Sequence, residues 1–355
     1  MKKLTFMLWL SVLSMPFMGI KGGIYLFLGI LASYGIYFLL VNIFGKINKT
    51  AIPVNIKFIF TALIAVSFIF PFLVKDYYTD VAILVCIYII LALGVNIVIG
   101  YSGLLHLGFA AFYGIGAYTN ALLTTHFGLG FWSALPLTLI VTSVSGFLLA
   151  VPSFRLRGDY LAIVTLGFGE IIRLVLNNWD SVTRGPNGIS NIPSPFILGF
   201  EISSLMSYYY LVLFFVFLAA FIVNRVHRSR TGRAWLSIRE DETAAEAMGI
   251  NTKKYKFMAL TFGAFWAGLA GALFASKMHF VSPESFSFME SVFVVCMIIL
   301  GGLGSIPGVI LGSLILVLLP ELLREFQSYR MLALGIGLVL MMIFRPQGLM
   351  RSKNT

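Results

Sequence analysis

The chain has 355 residues, of which 59% are hydrophobic and 11% charged, with 34 glycines and a mean hydropathy of +0.95. That composition excludes an ordinary soluble domain and describes an all-α polytopic membrane protein. A net charge of +11 would point to nucleic acid in a soluble protein; here the cations sit in loops that alternate along the chain, so no nucleic-acid partner is expected.

A helix that crosses a bilayer needs about 20 mostly apolar residues. Lys2-Lys3 and the apolar run 4–20 resemble a secretory signal, but no Ala-x-Ala cleavage site follows, and the run reads as a retained first helix. Candidate spans follow near 23–44, 58–74, 81–99, 104–124, 132–151, 160–178, 206–224, 257–278, 287–303, 305–320 and 331–344. Some are short or broken by glycine, so ten to twelve hydrophobic segments in pseudo-repeated halves are expected. Alternating the sides puts eighteen Lys/Arg on one face and five on the other, which orients both termini to the cytoplasm. The organisation expected is an N-terminal hydrophobic extension of about two helices (1–57), a main membrane domain (58–348) and a short cytoplasmic tail (349–355).

Two segments are unusual for membrane helices. Gly100-Tyr-Ser-Gly-Leu-Leu-His-Leu-Gly108 and Gly301-Gly-Leu-Gly-Ser-Ile-Pro-Gly308 carry glycine at a density that either packs helices closely or breaks them beside a cavity. Pro307 favours a break in the second. Gly100, Tyr101, Gly103, His106, Gly108, Gly301, Gly304 and Pro307 are therefore candidates for a pathway between the two halves. Free backbone amides and carbonyls at such breaks would suit a passing zwitterion. His106 is either a ligand contact or a satisfied helix-end residue.

Between these segments, Glu170 and Arg173 lie three apart on one helical face and are expected to form a structural ion pair facing the bundle interior. Cys86 and Cys296 fall inside apolar runs as inert thiols, and the four histidines are scattered, so no metal site or cofactor is expected. Arg184-Gly-Pro-Asn-Gly188 is a turn-rich loop suited either to an external protein or to plain connection.

The strongest local signal is a polar island at 225–256, with eight Lys/Arg and four Asp/Glu between apolar runs. Hydrocarbon does not accommodate that charge density, so the loop stands in water, and its cationic excess places it in the cytoplasm. Its centre reads as a short helix capped by Thr243, with Glu246 completing a capping box and Gly249 supplying a left-handed stop. A small-residue helix at the tip of such a loop serves as a docking knob for a soluble partner. Arg233, Glu240, Asp241, Glu242, Ala244, Ala245 and Gly249 are the candidate coupling residues.

This island resembles the cytoplasmic Glu-Ala-Ala loop of ATP-binding-cassette importer permeases, with Thr243 standing in the Glu place and Glu242 beside it. Four blocks carry a closer resemblance to branched-chain amino acid permeases. They are Gly100 to Phe109, Leu156 to Arg173, Gly185-Pro-Asn-Gly188, and Gly232 to Ile250 followed by Gly301 to Ser305. The resemblance implies an import subunit of the bacterial inner membrane. Its expected partners are two ATPases, a second related permease, an external binding protein and a small amino acid substrate. Permeases for urea or short amides share nearly every block, so the substrate stays open between the two. A stand-alone secondary carrier is the reading from another class, and the docking loop argues against it. The chain has no phosphate loop and no constellation of catalytic side chains, so ATP hydrolysis belongs to the partner rather than to an enzyme activity here.

Overall fold

The computed structural model describes residues 67, 68, 70–72, 74–153, 156, 158–197, 200–322, 335, 339 and 348–350. The N-terminal extension 1–57, the spans expected at 4–20 and 23–44, most of 58–74, nearly all of 331–344, and Arg155 and Arg157 lie outside the described residues, as does the tail beyond Met350.

The described part is a helical bundle. Helix α1 (Asp76–Val95) runs into a π-helical turn (Asn96–Tyr101), followed by α2 (Phe109–Thr125), α3 (Phe131–Ser153) and α4 (Asp159–Asn178). Beyond α4 come a one-turn helix (Asp180–Thr183), a 3-10 turn (Gly185–Asn187) and three two-residue strands, β1 (Ile189–Ser190), β2 (Phe196–Ile197) and β3 (Phe200–Glu201). Helices α5 (Leu205–His227), α6 (Arg230–Glu240), α7 (Glu242–Ala247) and α8 (Thr252–Met278) carry the chain to β4 (Phe280–Val281). A 3-10 turn (Pro283–Phe286), α9 (Phe288–Gly301) and α10 (Ile306–Leu322) complete it. Among the described residues, four helices are long and apolar enough to cross a membrane: Asp76–Tyr101, Phe131–Ser153, Leu205–His227 and Thr252–Met278. Two shorter apolar helices follow, 288–301 and 306–321. The hydrophobic windows thus located helices within a few residues, except that 104–108 is not helical and α2 begins only at Phe109.

α8 forms the centre because its packed faces are lined with Gly and Ala. Without large side chains to hold them off, three neighbours reach its backbone. Gly94 of α1 lies against Gly263, where a Cβ would stand 3.0 Å from the carbonyl oxygen. Gly146 of α3 lies against Ala264 (2.6 Å to its Cβ) and Gly116 of α2 against Gly268 (2.5 Å to its Cα). α1 packs on α8, α5 and α10 and is the most enclosed span, 83% buried against 39% for α3. The outer face of α3 presents Leu137, Ile140, Val144, Phe147, Leu148 and Val151, an exposed apolar stripe at helical spacing.

At the end of the bundle away from α6 and α7, Lys277 of α8 forms an ion pair with Asp80 of α1. There β1 pairs antiparallel with β4, Ile189 opposite Val281. Gly188 has φ +65 and lies directly on the Val281 carbonyl, which only a residue lacking Cβ permits. The turn-rich loop is therefore built into this end by its glycines, with Pro186 and Asn187 exposed.

Candidate functional site: two broken helices under the polar loop

The polar loop folds as two short helices locked onto the start of α8. Ser229 caps α6, its hydroxyl accepting from the Thr231 amide at 3.2 Å. Trp235, 1% exposed, donates its indole N–H to the Tyr255 carbonyl at 2.8 Å. The cap of α7 is Asp241 rather than Thr243: its Oδ1 accepts from the amides of Thr243 (2.8 Å) and Ala244 (3.0 Å). A carboxylate competes better than a hydroxyl for the positive end of a helix, so the start lies two residues earlier and Glu246 plays no capping-box role. The stop is as expected. Gly249 has φ +84, its amide bonds Glu246 O at 3.0 Å and the Ile250 amide bonds Ala245 O at 3.0 Å, a Schellman closure.

Only Ala245 of α7 is buried; Thr243, Ala244, Glu246, Ala247 and Met248 face outward, with Met248 83% exposed. Arg233, Glu240 and Asp241 are also exposed. Glu242 turns back and forms an ion pair at 2.6 Å with the buried Lys256 of α8. Space around Gly249 is open, so Gly249→Val acts through backbone strain alone. A left-handed β-branched residue costs on the order of 2 kcal/mol. If the loop couples a soluble partner to transport, the variant should insert normally while partner association and uptake fall together; intact uptake would show that the loop is not the coupling element.

The first glycine-rich segment breaks a helix. α1 widens into the π turn, Ser102 Oγ bonds back to Val98 O at 2.6 Å, and Gly103 takes φ +70. The chain then runs non-helically to Gly108. Along it, the Leu107 amide bonds Thr165 Oγ1 of α4 at 3.0 Å, and Gly108 presses on the Thr165 backbone. His106 is fully buried between the rings of Phe109 and Phe112. Its Nδ1 accepts from the Gly108 amide at 3.3 Å, and Nε2 has no partner.

The second break lies in Gly302 to Ser305, where Gly302 and Gly304 take φ +115 and +80. Pro307 marks its far side. It sits in the first turn of α10, where a missing N–H costs nothing, and the glycines make the bend. Gly301, Gly308 and Gly312 let α9 and α10 cross backbone to backbone. The open carbonyls of Leu300 and Gly301 accept from the amides of Leu349 and Met350, both at 2.9 Å.

The two breaks meet, and the polar loop closes over them. Asn96 Oδ1 accepts from the Gly304 amide at 2.9 Å, with Asn96 fully buried. Arg239 at the end of α6 donates Nη1–H to the Gly100 carbonyl at 2.6 Å. Two backbone groups expected to be free at the breaks, the Gly304 amide and the Gly100 carbonyl, are thus already bonded by Asn96 and Arg239. Beside Arg239 is a small cavity of about 80 Å³ lined by Ser102, Gly103, Leu161, Glu242 and Lys256 among others.

The site thus unites Gly100, Tyr101, Gly103 and Gly304 with the loop, while His106 and Gly108 lie deeper toward α4. Tyr101 stacks on His227 of α5, ring centroids 4.4 Å apart. The Glu170–Arg173 pair forms, with Nε bonded to both carboxylate oxygens at 3.0 and 3.1 Å. It lies on a part-exposed face of α4 rather than in the bundle interior, 39% and 29% of the side chains being accessible. Arg239 and Lys256 did not stand out in the sequence among the many cations of the loop. The spacing carries no signal for their partners.

Long apolar helices, broken elements and a charged loop folded over the breaks define a polytopic membrane transport subunit. The chain belongs to the family described as branched-chain amino acid transport system / permease component, whose profile matches residues 77–344. It is 48% identical over 317 residues to the high-affinity branched-chain amino acid transport system permease protein LivM of Salmonella typhimurium, covering 83% of this chain and 75% of that protein. LivM of Escherichia coli is similar at 47% identity with the same coverage. The probable LivM of Methanocaldococcus jannaschii is 27% identical, over 75% of this chain and 91% of its own. No solved structure matches.

Proposed function

We propose that this chain is the permease subunit of an ATP-driven importer that carries leucine, isoleucine and valine across the bacterial cytoplasmic membrane. The carrying observation is the loop. An exposed Ala- and Met-bearing helix stands on a platform ion-paired to α8 and reaches the broken helices through Arg239. That arrangement converts movement of a bound partner into movement at the breaks. A self-sufficient carrier has no use for it.

In this reading two ATPases bind the loop at 225–256 through Arg233, Glu240, Asp241 and Ala244, with Ala245 buried beneath the contact face. A second, related permease completes the membrane part, and an external binding protein delivers substrate at the β1–β4 end. Ten to twelve segments cross the membrane, with both termini in the cytoplasm. The pathway runs past Gly100–Gly108 and Gly301–Pro307, weakly selective because the binding protein supplies specificity. ATP hydrolysis stays in the partners.

The test is uptake of leucine, isoleucine, valine and urea by a strain lacking its own systems, after co-expression with candidate partners. Leucine uptake that needs ATP and the binding protein supports the proposal. Urea uptake without leucine uptake overturns the substrate while leaving the mechanism. A stable monomer with vectorial uptake overturns the assembly.

A further inference from the structure

Arg239 does more than cap a helix end. Its guanidinium belongs to α6, on the loop that faces the soluble partner, while the carbonyl it holds belongs to the broken end of α1. The surroundings are shaped to this side chain. Gly103 leaves room for it: a Cβ there would stand 3.0 Å from Arg239 Cγ. Gly304 does the same, with a Cβ position 3.4 Å from both Nη1 and Gly100 O. Both glycines take positive φ, so the chain bends twice around one guanidinium. The second break is tied to the first by Asn96, so whatever holds Gly100 holds both. Trp235 and the Glu242–Lys256 pair anchor the loop to α8.

We infer that Arg239 is a latch: it holds the two broken helices closed beneath the polar loop, and partner-driven displacement of α6 and α7 withdraws it from Gly100 to open that end of the pathway. The inference rests on the importer reading above. A charge-assisted hydrogen bond to a backbone carbonyl suits the role, being strong when sheltered and replaceable by water once the neighbouring cavity widens. Arg239 is a positioning residue that acts on the gate through Gly100 and has no contact with substrate to make.

The test uses the full complex in inverted membrane vesicles, with Ser102→Cys as reporter. Ser102 is 2% exposed beside the cavity, so a charged maleimide should label the cysteine slowly when the latch is closed. Arg239→Met keeps the apolar stem and removes the donor. It should raise the labelling rate by about tenfold or more, as expected for loss of one charge-assisted bond. Uptake should fall by a similar factor, and ATP hydrolysis should cease to respond to the loaded binding protein. Arg239→Lys, which retains one donor, should recover part of both. Lower uptake with unchanged labelling would make Arg239 a structural cap and overturn the latch, as would wild-type labelling and uptake. If Arg239→Met does not assemble with the ATPases, labelling of the permease alone still decides. Absent uptake by the unsubstituted complex would instead count against the importer reading.

Discussion

Gly304→Val should lower uptake by about a hundredfold while the protein still inserts and binds its ATPases. Three effects combine at this position. At φ +80 a β-branched residue is strained by on the order of 2 kcal/mol. The Gly304 amide is the donor to the buried Asn96 Oδ1, and shifting it leaves a polar pair unsatisfied, about 1–3 kcal/mol more. The valine branches also enter the space between Arg239 and Gly100 O. Gly304→Ala separates these causes. Its Cβ would sit at 3.4 Å, an ordinary contact, so backbone strain alone remains and a loss nearer tenfold is expected. Measured uptake beside pulled-down ATPase checks both. Equal effects of alanine and valine would show that contact with the Arg239 side plays no part.

The second large effect belongs to Lys256→Met. Lys256 is 4% exposed within the first turns of α8, and its ammonium is paired with Glu242, the first residue of α7. Removing one partner of a buried pair typically costs about 3–5 kcal/mol, because the remaining charge stays desolvated. Glu242 keeps some contact with water, so the cost here belongs at the low end. The folded bundle should survive, since the loss falls on the seating of α7 rather than on the core helices. Protease in inverted vesicles should cut the 240–250 region faster, and ATPase association should weaken by tenfold or more. The double variant Lys256→Met/Glu242→Gln should regain part of the resistance, because no carboxylate then faces the methionine. Unchanged resistance in the single variant would show that this pair does not seat the loop.

Much of this architecture is legible along the chain because it depends on local pattern. Apolar runs located α1, α3, α5 and α8 since burial in hydrocarbon and helix length are one constraint. Gly249 was readable as a helix stop because only its own φ mattered. Thr243 misled because Asp241 stands two residues before it and the choice turns on which oxygen reaches two amides. Pro307 was readable as a break, since an unbroken helix through it would clash with the carbonyl four residues back, and the nearby glycines make the bend. What pattern does not carry is partnership. Asn96 and Gly304 are 208 positions apart and Arg239 and Gly100 are 139 apart. Nothing near either residue indicates which distant backbone group it will satisfy. The glycine-rich segments announced two bends, and the fold decided that the bends share one place.

The Asn96–Gly304 bond also bears on how the protein is made. A membrane protein enters the bilayer from its N-terminal side, so α1 is in place long before α9 and α10 emerge from the ribosome. During that interval the Asn96 amide has no Gly304 to accept from, and a bare carboxamide in hydrocarbon is costly. The half-made chain must therefore keep this turn near water or inside the insertion machinery until the later helices arrive. Substitutions that slow insertion of α9 and α10 would then expose the early half to quality-control proteases, even where the finished transporter is unharmed. For this chain, cellular abundance and transport rate are separate readouts of the same hydrogen bond.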